Sequence, residues 1–316
     1  MIILSNDHVT LTPRTTFDGP ELTFDFPRLQ IGVAEYDEGP TGCTVFSFPA
    51  GANTAIDVRG GSAGMTQQYE HSHAICLAGG SLLGLEAASG VVAGIFAQHN
   101  YPPHRFPLVN GAIIYDYDLR DNTIYPDKTL GRAAFEAARP GVFPLGARGA
   151  GRSASVGGVL VSGRAEPGGQ GGAYQEIKGV KLAVFTVVNA LGSIVDRSGK
   201  VVRGNRDDST GERKNILEDM KERIETDQPI QEVWGNTTLT VLVTNQKLQP
   251  RELAQLGRQV HTSMSRAIYP FHTMMDGDVF YTVTTGQVKS NKLSVAMLGM
   301  LASELAWDAV LSAVGS

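Results

Sequence analysis

The stretch Gly235-Asn236-Thr237-Thr238-Leu239-Thr240-Val241-Leu242-Val243 passes from turn-forming residues directly into an apolar strand. Gly and Asn favour turns, whereas Thr and Val favour strands. If the bond between Asn236 and Thr237 were cleaved, Thr237 would carry a hydroxyl and a free α-amine. That amine has a pKa of about 7.7–8.0, so it can accept the hydroxyl proton. The stretch therefore predicts a strand that begins with a nucleophile, or, in the simpler alternative, a turn that leads into a strand.

Strand-like and helix-like segments are mixed on both sides of this stretch. Runs enriched in β-branched residues predict strands at residues 43–48, 112–117, 181–188, 238–244 and 279–285. Apolar residues at helical spacing predict helices at residues 75–98, 129–138, 213–226, 250–267 and 293–314. The glycine-rich segment 163–172 predicts a flexible loop. Because strands and helices do not alternate strictly, the pattern favours an α+β fold over a doubly wound one.

The composition is that of a globular protein: 42% of the 316 residues are hydrophobic, 19% are charged, and the net charge is −5. This balance excludes a disordered chain, and the lack of a basic block argues against nucleic acid as a partner. The apolar run 74–97 contains Glu86 and several glycines, so we expect a buried helix and no membrane span. The N-terminus has no signal-peptide pattern, and the two cysteines, Cys43 and Cys76, fit a reducing compartment. We therefore expect a cytoplasmic protein.

Two carboxylates flank a glycine at Asp276-Gly277-Asp278, immediately before the predicted strand 279–285. Such a pair could bind a cation, orient an amine, or share a proton so that its two pKa values separate. Asp-Gly is also a standard turn pair, so a plain turn is the alternative. The segment is not an EF-hand, because Phe280 and Thr282 occupy the later ligand positions.

Two further positions carry groups that a reaction or a metal could use. Asn189 follows the predicted strand 181–188, where its amide could hold an oxyanion or simply end the strand. The segment His71-Ser72-His73 has a spacing seen in zinc sites, but no third ligand follows nearby. Hydrogen bonding within the fold is therefore the alternative to metal binding for these histidines.

Nine short motifs, in order along the chain from about residue 22, carry a resemblance to a known family. The motifs are Phe24-Asp25-Phe26-Pro27, Glu38-Gly39-Pro40-Thr41-Gly42, Asp57-Val58-Arg59-Gly60-Gly61, His73-Ala74-Ile75-Cys76-Leu77-Ala78-Gly79-Gly80, Tyr125-Pro126-Asp127-Lys128, Val202-Arg203-Gly204-Asn205, Gly235-Asn236-Thr237-Thr238, Pro270-Phe271-His272-Thr273 and Trp307-Asp308-Ala309-Val310. The chain resembles the self-cleaving nylon-oligomer (6-aminohexanoate oligomer) hydrolases, within the wider group of β-peptidyl aminopeptidases and L-aminopeptidase/D-esterases. The nylon-oligomer branch is the more similar one, because its nucleophile is Thr where the aminopeptidases carry Ser.

The resemblance implies a four-layer αββα sandwich, similar to N-terminal-nucleophile hydrolases but with its own connectivity. A single domain over residues 1–316 would be cleaved between Asn236 and Thr237. The fragments 1–236 and 237–316 would stay associated, and the cleaved protomers would form a homotetramer. The implied function is self-processing hydrolysis of linear amide oligomers such as those of 6-aminohexanoate, with no metal or organic cofactor.

The resemblance also implies a role for each candidate residue. Thr237 matches the N-terminal nucleophile, and Asn189 matches the residue that holds the oxyanion. Asp276 and Asp278 match the acidic pair that orients the nucleophile. Tyr115 aligns with a tyrosine that lines the substrate site.

One position departs from the family pattern. Relatives carry a Lys directly after a Ser-Ala-Ser-x-Gly stretch, whereas Ser153-Ala154-Ser155-Val156-Gly157 is followed here by Gly158. Lys178 or Lys181 could replace that cation. The missing lysine leaves a non-catalytic scaffold open as an alternative. An aminopeptidase acting on small or β-amino peptides and an ornithine-type acetyltransferase, which is similar in fold and in its Thr nucleophile, also stay open.

Overall fold

The computed structural model describes residues 3–117, 120–230, 235–289 and 293–315, apart from the side chain of Ser162. The strands within these ranges are β1 (Glu21–Thr23), β2 (Gln30–Tyr36), β3 (Thr41–Val58), β4 (His71–Ala78), β5 (Val109–Ile113), β6 (Val142–Pro144), β7 (Ser155–Val156), β8 (Glu166–Pro167), β9 (Gly169–Ile177), β10 (Val180–Asn189), β11 (Ser193–Val195), β12 (Val201–Arg203), β13 (Thr237–Gln246), β14 (Ile268–Tyr269) and β15 (Val279–Val288). The α-helices are α1 (Glu86–Gln98), α2 (Lys128–Glu136), α3 (Ile216–Glu225), α4 (Pro250–Ser263) and α5 (Val295–Ala313).

One hydrogen-bonded sheet organises the fold, in the order β5-β4-β3-β15-β13-β10-β9, with β2 also paired to β3. Strand β3 is 18 residues long and belongs to two layers. Its first half pairs with β2 and β4, chiefly through residues 41–47, and its second half pairs with β15 through residues 53–58. The long strand therefore joins a layer of β2, β4 and β5 to a layer of β15, β13, β10 and β9.

Successive side chains on these strands enter different cores, which shows the layering directly. On β13, Val241 and Val243 point into a core between the two sheet layers, together with Phe46 and Leu77 from the other layer. Leu242 lies between them in sequence and packs into a second core under α4 and α5. A third core fills the space between α1, α2 and the outer face of the other sheet layer. Three cores separate four layers, so the predicted αββα sandwich is confirmed.

The predicted helix 75–98 is wrong in its first part. Residues 75–78 belong to β4, and α1 begins only at Glu86. Most of β4 is buried on both faces, so it lacks the polar alternation of a half-exposed strand and looks like a buried helix in sequence. Gly80 adopts a φ of 79° between the two elements, and this left-handed conformation lets the chain turn there.

The predicted loop 163–172 is also wrong over much of its length, because it contains β8 (Glu166–Pro167) and β9 begins at Gly169. Gly171 lies under α5, where a Cβ would overlap the carbonyl oxygen of Ala309. These glycines therefore bring a helix close to the sheet. The predicted strand 112–117 is too long, since β5 ends at Ile113.

The helices α2 to α5 begin and end within four residues of the predicted bounds. Two segments, Ser81–Gln98 and Val295–Ala313, are long and apolar enough to cross a membrane by length and hydropathy alone. In the fold, α1 packs against α2 and β4, and α5 packs against α4, β9 and β10. Both are therefore helices of the layered core.

Candidate active site

Thr237 is the first residue of β13, the strand between β10 and β15, and it is 2% exposed. It lies opposite Asn189, the last residue of the antiparallel strand β10. Asn236, the residue before it, forms a parallel bridge with Asp276 just ahead of β15. The sheet therefore brings four of the predicted site residues to one end of neighbouring strands.

The carbonyl group of Asn236 belongs to the predicted cleavage bond, and it accepts a hydrogen bond from the Gly277 N–H at 2.7 Å. Gly277 has no side chain, and a Cβ there would lie 2.6 Å from Thr237 Oγ1. The hydroxyl therefore occupies space that glycine leaves open. An N–H group that donates to a carbonyl under attack stabilises the negative charge that develops on its oxygen.

Three hydrogen bonds converge on the carboxylate of Asp278. Its Oδ1 accepts from the backbone N–H of Thr238 at 2.8 Å. Its Oδ2 accepts from His272, through ring Nδ1 at 2.8 Å and through the backbone N–H at 3.2 Å. Asp278 is fully buried, so these donors replace the water that would otherwise solvate it. The carboxylate thereby fixes the peptide group that directly follows Thr237.

Asp276 lies in a poorer environment for a charge. Its Oδ2 accepts from the backbone N–H of Thr273 at 2.8 Å. Its Oδ1 is buried and has no hydrogen-bond partner among the residues that the structure describes. Burial, together with the charge of Asp278, raises the pKa of Asp276 to about 6. Two carboxylates at one site are thus distinguished by their surroundings.

The amide of Asn189 is close to Thr237 but is bonded to backbone groups. Its Nδ2 donates to the Tyr115 carbonyl at 2.7 Å, and its Oδ1 accepts from the Ser155 N–H at 2.9 Å. These bonds tie the end of β10 to the segment that follows β5 and to the start of β7. The donor bonded to the Asn236 carbonyl is the Gly277 N–H. The oxyanion role of Asn189 therefore stays a prediction.

Tyr115 lies beside the segment that leads to the predicted cleavage bond. A Cβ on Gly235 would lie 2.8 Å from Cγ of the Tyr115 ring. Gly235 adopts a φ of 76°, a conformation that favours glycine, so both the backbone and the ring select a residue without a side chain. The predicted contact of Tyr115 with substrate stays a prediction.

Neither lysine proposed as a replacement cation reaches this site. Lys181 is the second residue of β10 and Asn189 is the last, so they lie about 26 Å apart along the strand. Lys181 forms an ion pair with Asp25, and Lys178 lies in the turn before β10. The prediction that Lys178 or Lys181 replaces the missing cation is therefore wrong. The position after Gly157 is occupied by Gly158, which is buried.

The histidines of segment 71–73 form hydrogen bonds within the fold. His71 Nδ1 lies 3.2 Å from Asn53 Oδ1, and His73 Nδ1 accepts from the Leu108 N–H at 3.0 Å. In the described parts of the chain, no group of three or more His, Cys, Asp or Glu side chains is placed to hold a metal ion. The structure thus favours the hydrogen-bonding alternative for this pair.

Two groups at the site are not evident as functional from the sequence. His272 belongs to one of the nine motifs, but neither its φ of 61° nor the contact of its ring with Asp278 has a sequence signal. The second group, the Gly277 N–H, is a main-chain donor, so no side chain marks it in the sequence. The glycine between Asp276 and Asp278 is the sequence feature that indicates it.

Comparison with known proteins finds relatives over nearly the whole chain. A family model, that of peptidase family S58, matches residues 22–315. The 6-aminohexanoate-oligomer endohydrolase of Paenarthrobacter ureafaciens is 46% identical over 320 residues, which cover 98% of this chain and 90% of that protein.

Solved structures share the fold at much lower identity. The L-aminopeptidase D-Ala-esterase/amidase of Ochrobactrum anthropi superposes with a TM-score of 0.65 at 15% identity, covering 95% of this chain and 88% of that chain. The β-aminopeptidase of a Burkholderia species gives a TM-score of 0.64 at 14% identity, covering 93% and 88%. These two structures support the layered fold described above.

Proposed function

The chain belongs to peptidase family S58, and from this membership we propose that it is a self-processing amide hydrolase with Thr237 as its N-terminal nucleophile. The relative from Paenarthrobacter ureafaciens is an endohydrolase of 6-aminohexanoate oligomers. We extend that activity to this chain: it hydrolyses linear amide oligomers at internal bonds.

A single observation carries this proposal. The Asn236 carbonyl is hydrogen-bonded to the Gly277 N–H at 2.7 Å, and the Thr237 hydroxyl occupies the space beside the same glycine. A hydroxyl and an N–H donor on the two sides of the Asn236–Thr237 peptide group support this proposal, because attack on a carbonyl needs a nucleophile and a donor to its oxygen.

Maturation would be an acyl shift followed by hydrolysis. Thr237 Oγ1 attacks the Asn236 carbonyl carbon, a C–O bond forms, and the C–N bond to Thr237 breaks. The hydroxyl proton moves to the departing nitrogen, while the Gly277 N–H donates to the carbonyl oxygen. Water then hydrolyses the ester, which leaves a carboxylate on Asn236 and both a free amine and a hydroxyl on Thr237.

Turnover would use the same groups on a substrate amide. The α-amine of Thr237 takes the hydroxyl proton as Oγ1 attacks the substrate carbonyl carbon. The amide C–N bond then breaks, and the departing amine takes that proton. Water hydrolyses the acyl ester on Oγ1, which releases a carboxylate and restores the hydroxyl. Cleavage releases the Gly277 N–H from Asn236, so this donor becomes available to the substrate carbonyl. Asn189 would supply a further donor from β10, and Asp276 and Asp278 would orient the nucleophile.

We also propose a homotetramer of cleaved protomers in the cytoplasm, each made of fragments 1–236 and 237–316. The family resemblance supports the assembly. Cys43 and Cys76 are free and buried, as expected in a reducing compartment.

Linear 6-aminohexanoate oligomers with free or acetylated amino ends test the proposed function. We expect the chain to cut both sets at internal bonds, detected as new amino groups and as product lengths by mass spectrometry. A chelator should leave the rate unchanged. Cleavage confined to oligomers with a free amino end would instead show an aminopeptidase, and acyl transfer to glutamate in preference to water would show an acetyltransferase.

A further inference from the structure

His272 lies against the carboxylate that fixes the start of β13. Its ring Nδ1 and its backbone N–H both donate to Oδ2 of Asp278, at 2.8 and 3.2 Å. The other carboxylate oxygen accepts from the Thr238 N–H at 2.8 Å. His272 and the nucleophile strand are therefore connected through the two oxygens of one buried side chain.

Packing holds the ring of His272 in this place. It lies 3.8 Å from the ring of Phe271, centroid to centroid, and meets His261 edge-on at 4.4 Å. Burial lowers the pKa of His261, so this neighbouring ring is neutral near pH 7. His261 Nδ1 bonds Asp57, which also pairs with Arg59. Asp57 is therefore paired with His261 and Arg59, and the carboxylate that the His272 ring contacts is that of Asp278.

Two features support a specific contact between the His272 ring and Asp278. Its Nε2 is buried without a hydrogen-bond partner in the described residues, so Nδ1 is the ring nitrogen in use. Its φ of 61° is left-handed, a conformation that a non-glycine residue seldom adopts unless its surroundings enforce it.

We propose that His272 is a positioning residue for Thr237: it holds Asp278, which in turn holds the Thr238 peptide group and so aims the Thr237 hydroxyl. This inference rests on the proposed function of Thr237. Without the ring donor, the Asp278 carboxylate could turn away from the Thr238 N–H. Small displacements of a nucleophile cause large losses in rate.

Two substitutions separate the ring donor from the backbone conformation. His272→Asn keeps a side-chain N–H near the position of Nδ1, and Asn tolerates a positive φ. His272→Gly also tolerates that φ but has no side-chain donor. His73→Gly is the matched control, since His73 lies on β4 and its ring accepts a hydrogen bond from the Leu108 N–H, away from Asp278.

The measurements are the rate of self-cleavage by intact mass, kcat and KM on a linear amide oligomer, and the melting temperature. We expect His272→Gly to lower both self-cleavage and kcat by about 10- to 100-fold, with KM changed by less than about threefold. His272→Asn should stay within about threefold of wild type in both rates. His73→Gly should lower the melting temperature and leave kcat unchanged.

Wild-type rates in His272→Gly, or equal losses of kcat in both His272 variants, would overturn the inference while the proposed function stands. If His272→Gly does not fold, His272→Gln takes its place with the same expected loss. The amide nitrogen of Gln corresponds to Nε2 of the ring, so it does not replace the Nδ1 donor. A wild-type chain that neither cleaves itself nor hydrolyses amides would overturn the proposed function and this inference with it.

Discussion

At the scale of single residues, Asp276 carries a carboxyl whose surroundings oppose its charge. Burial and the neighbouring Asp278 raise its pKa to about 6, against about 3.9 for an ordinary aspartate. The folded chain therefore holds this proton more tightly than the unfolded chain. The carboxyl stabilises the fold below about pH 4, and this contribution is lost as the pH rises through about 6.

Replacing this carboxyl should make the fold more stable and the enzyme slower. In a Thr237→Ala background, which keeps the chain whole, Asp276→Asn should raise the free energy of unfolding by up to about 3 kcal/mol at pH 8, and by less at pH 4.5. Urea unfolding at both pH values measures the difference. An equal change in the free energy of unfolding at both pH values would show that Asp276 is not the titrating group.

In the cleaving chain, the same substitution should slow turnover, because a neutral amide cannot pair with the ammonium form of Thr237.

The missing side chain of Gly277 should matter for maturation more than for folding. In Gly277→Ala, the new Cβ would lie 2.6 Å from Thr237 Oγ1, so the hydroxyl or the backbone must shift. We expect self-cleavage to slow by at least about tenfold, because a small displacement of a nucleophile causes a large loss in rate. A time course of intact mass measures this rate, with the melting temperature as the check on folding. An unchanged time course in a folded variant would show that this space is not used by the attacking hydroxyl.

At the scale of secondary-structure elements, β9 depends on glycines that let α5 approach the sheet. Gly171→Ala would push a Cβ into the Ala309 carbonyl oxygen and should lower the free energy of unfolding by about 1–3 kcal/mol. Gly163→Ala is the matched control in the same glycine-rich segment, because nothing lies within 4 Å of its Cβ position. Thermal unfolding distinguishes the two. Equal melting temperatures would contradict close packing of α5 on β9.

The elements that can be predicted from sequence are those whose pattern is local. Strand β13 follows a turn signal, and α4 has Pro250 at its first turn. Strand β4 is missed because burial on both faces removes its alternation, and β9 is missed because its glycines suggest a loop.

The same distinction applies to the site. Thr237 and the pair Asp276 and Asp278 stand out by their spacing ahead of strands, and the family motifs give them roles. Their meeting depends on sheet register, which pairs Asn189 with Thr237 across 48 positions of the chain. The contribution of His272 depends on a backbone angle. Neither long-range register nor a single left-handed φ leaves a pattern that one sequence can show.

At the scale of the whole molecule, the proposed cleavage cuts a chain whose fragments share one sheet. Strand β13 would belong to fragment 237–316 but pairs along eight positions with β10 of fragment 1–236. We therefore expect the cleaved protein to elute as one species by size exclusion with light scattering. Its two fragments should separate only under denaturing conditions. Fragments that elute apart in native buffer would contradict the shared sheet, and the native mass also tests the proposed tetramer.

The most direct test of the central claim, that Thr237 is both the cleavage point and the nucleophile, is the intact mass of the purified chain beside its activity. We expect wild type to give two masses, for residues 1–236 and 237–316, and to hydrolyse linear amides. Thr237→Ala should give one unbroken chain without amidase activity, whereas Thr237→Ser, which keeps a hydroxyl and an amine, should cleave and turn over at an altered rate. Two fragments from Thr237→Ala, or full amidase activity from an uncleaved wild-type chain, would contradict the claim.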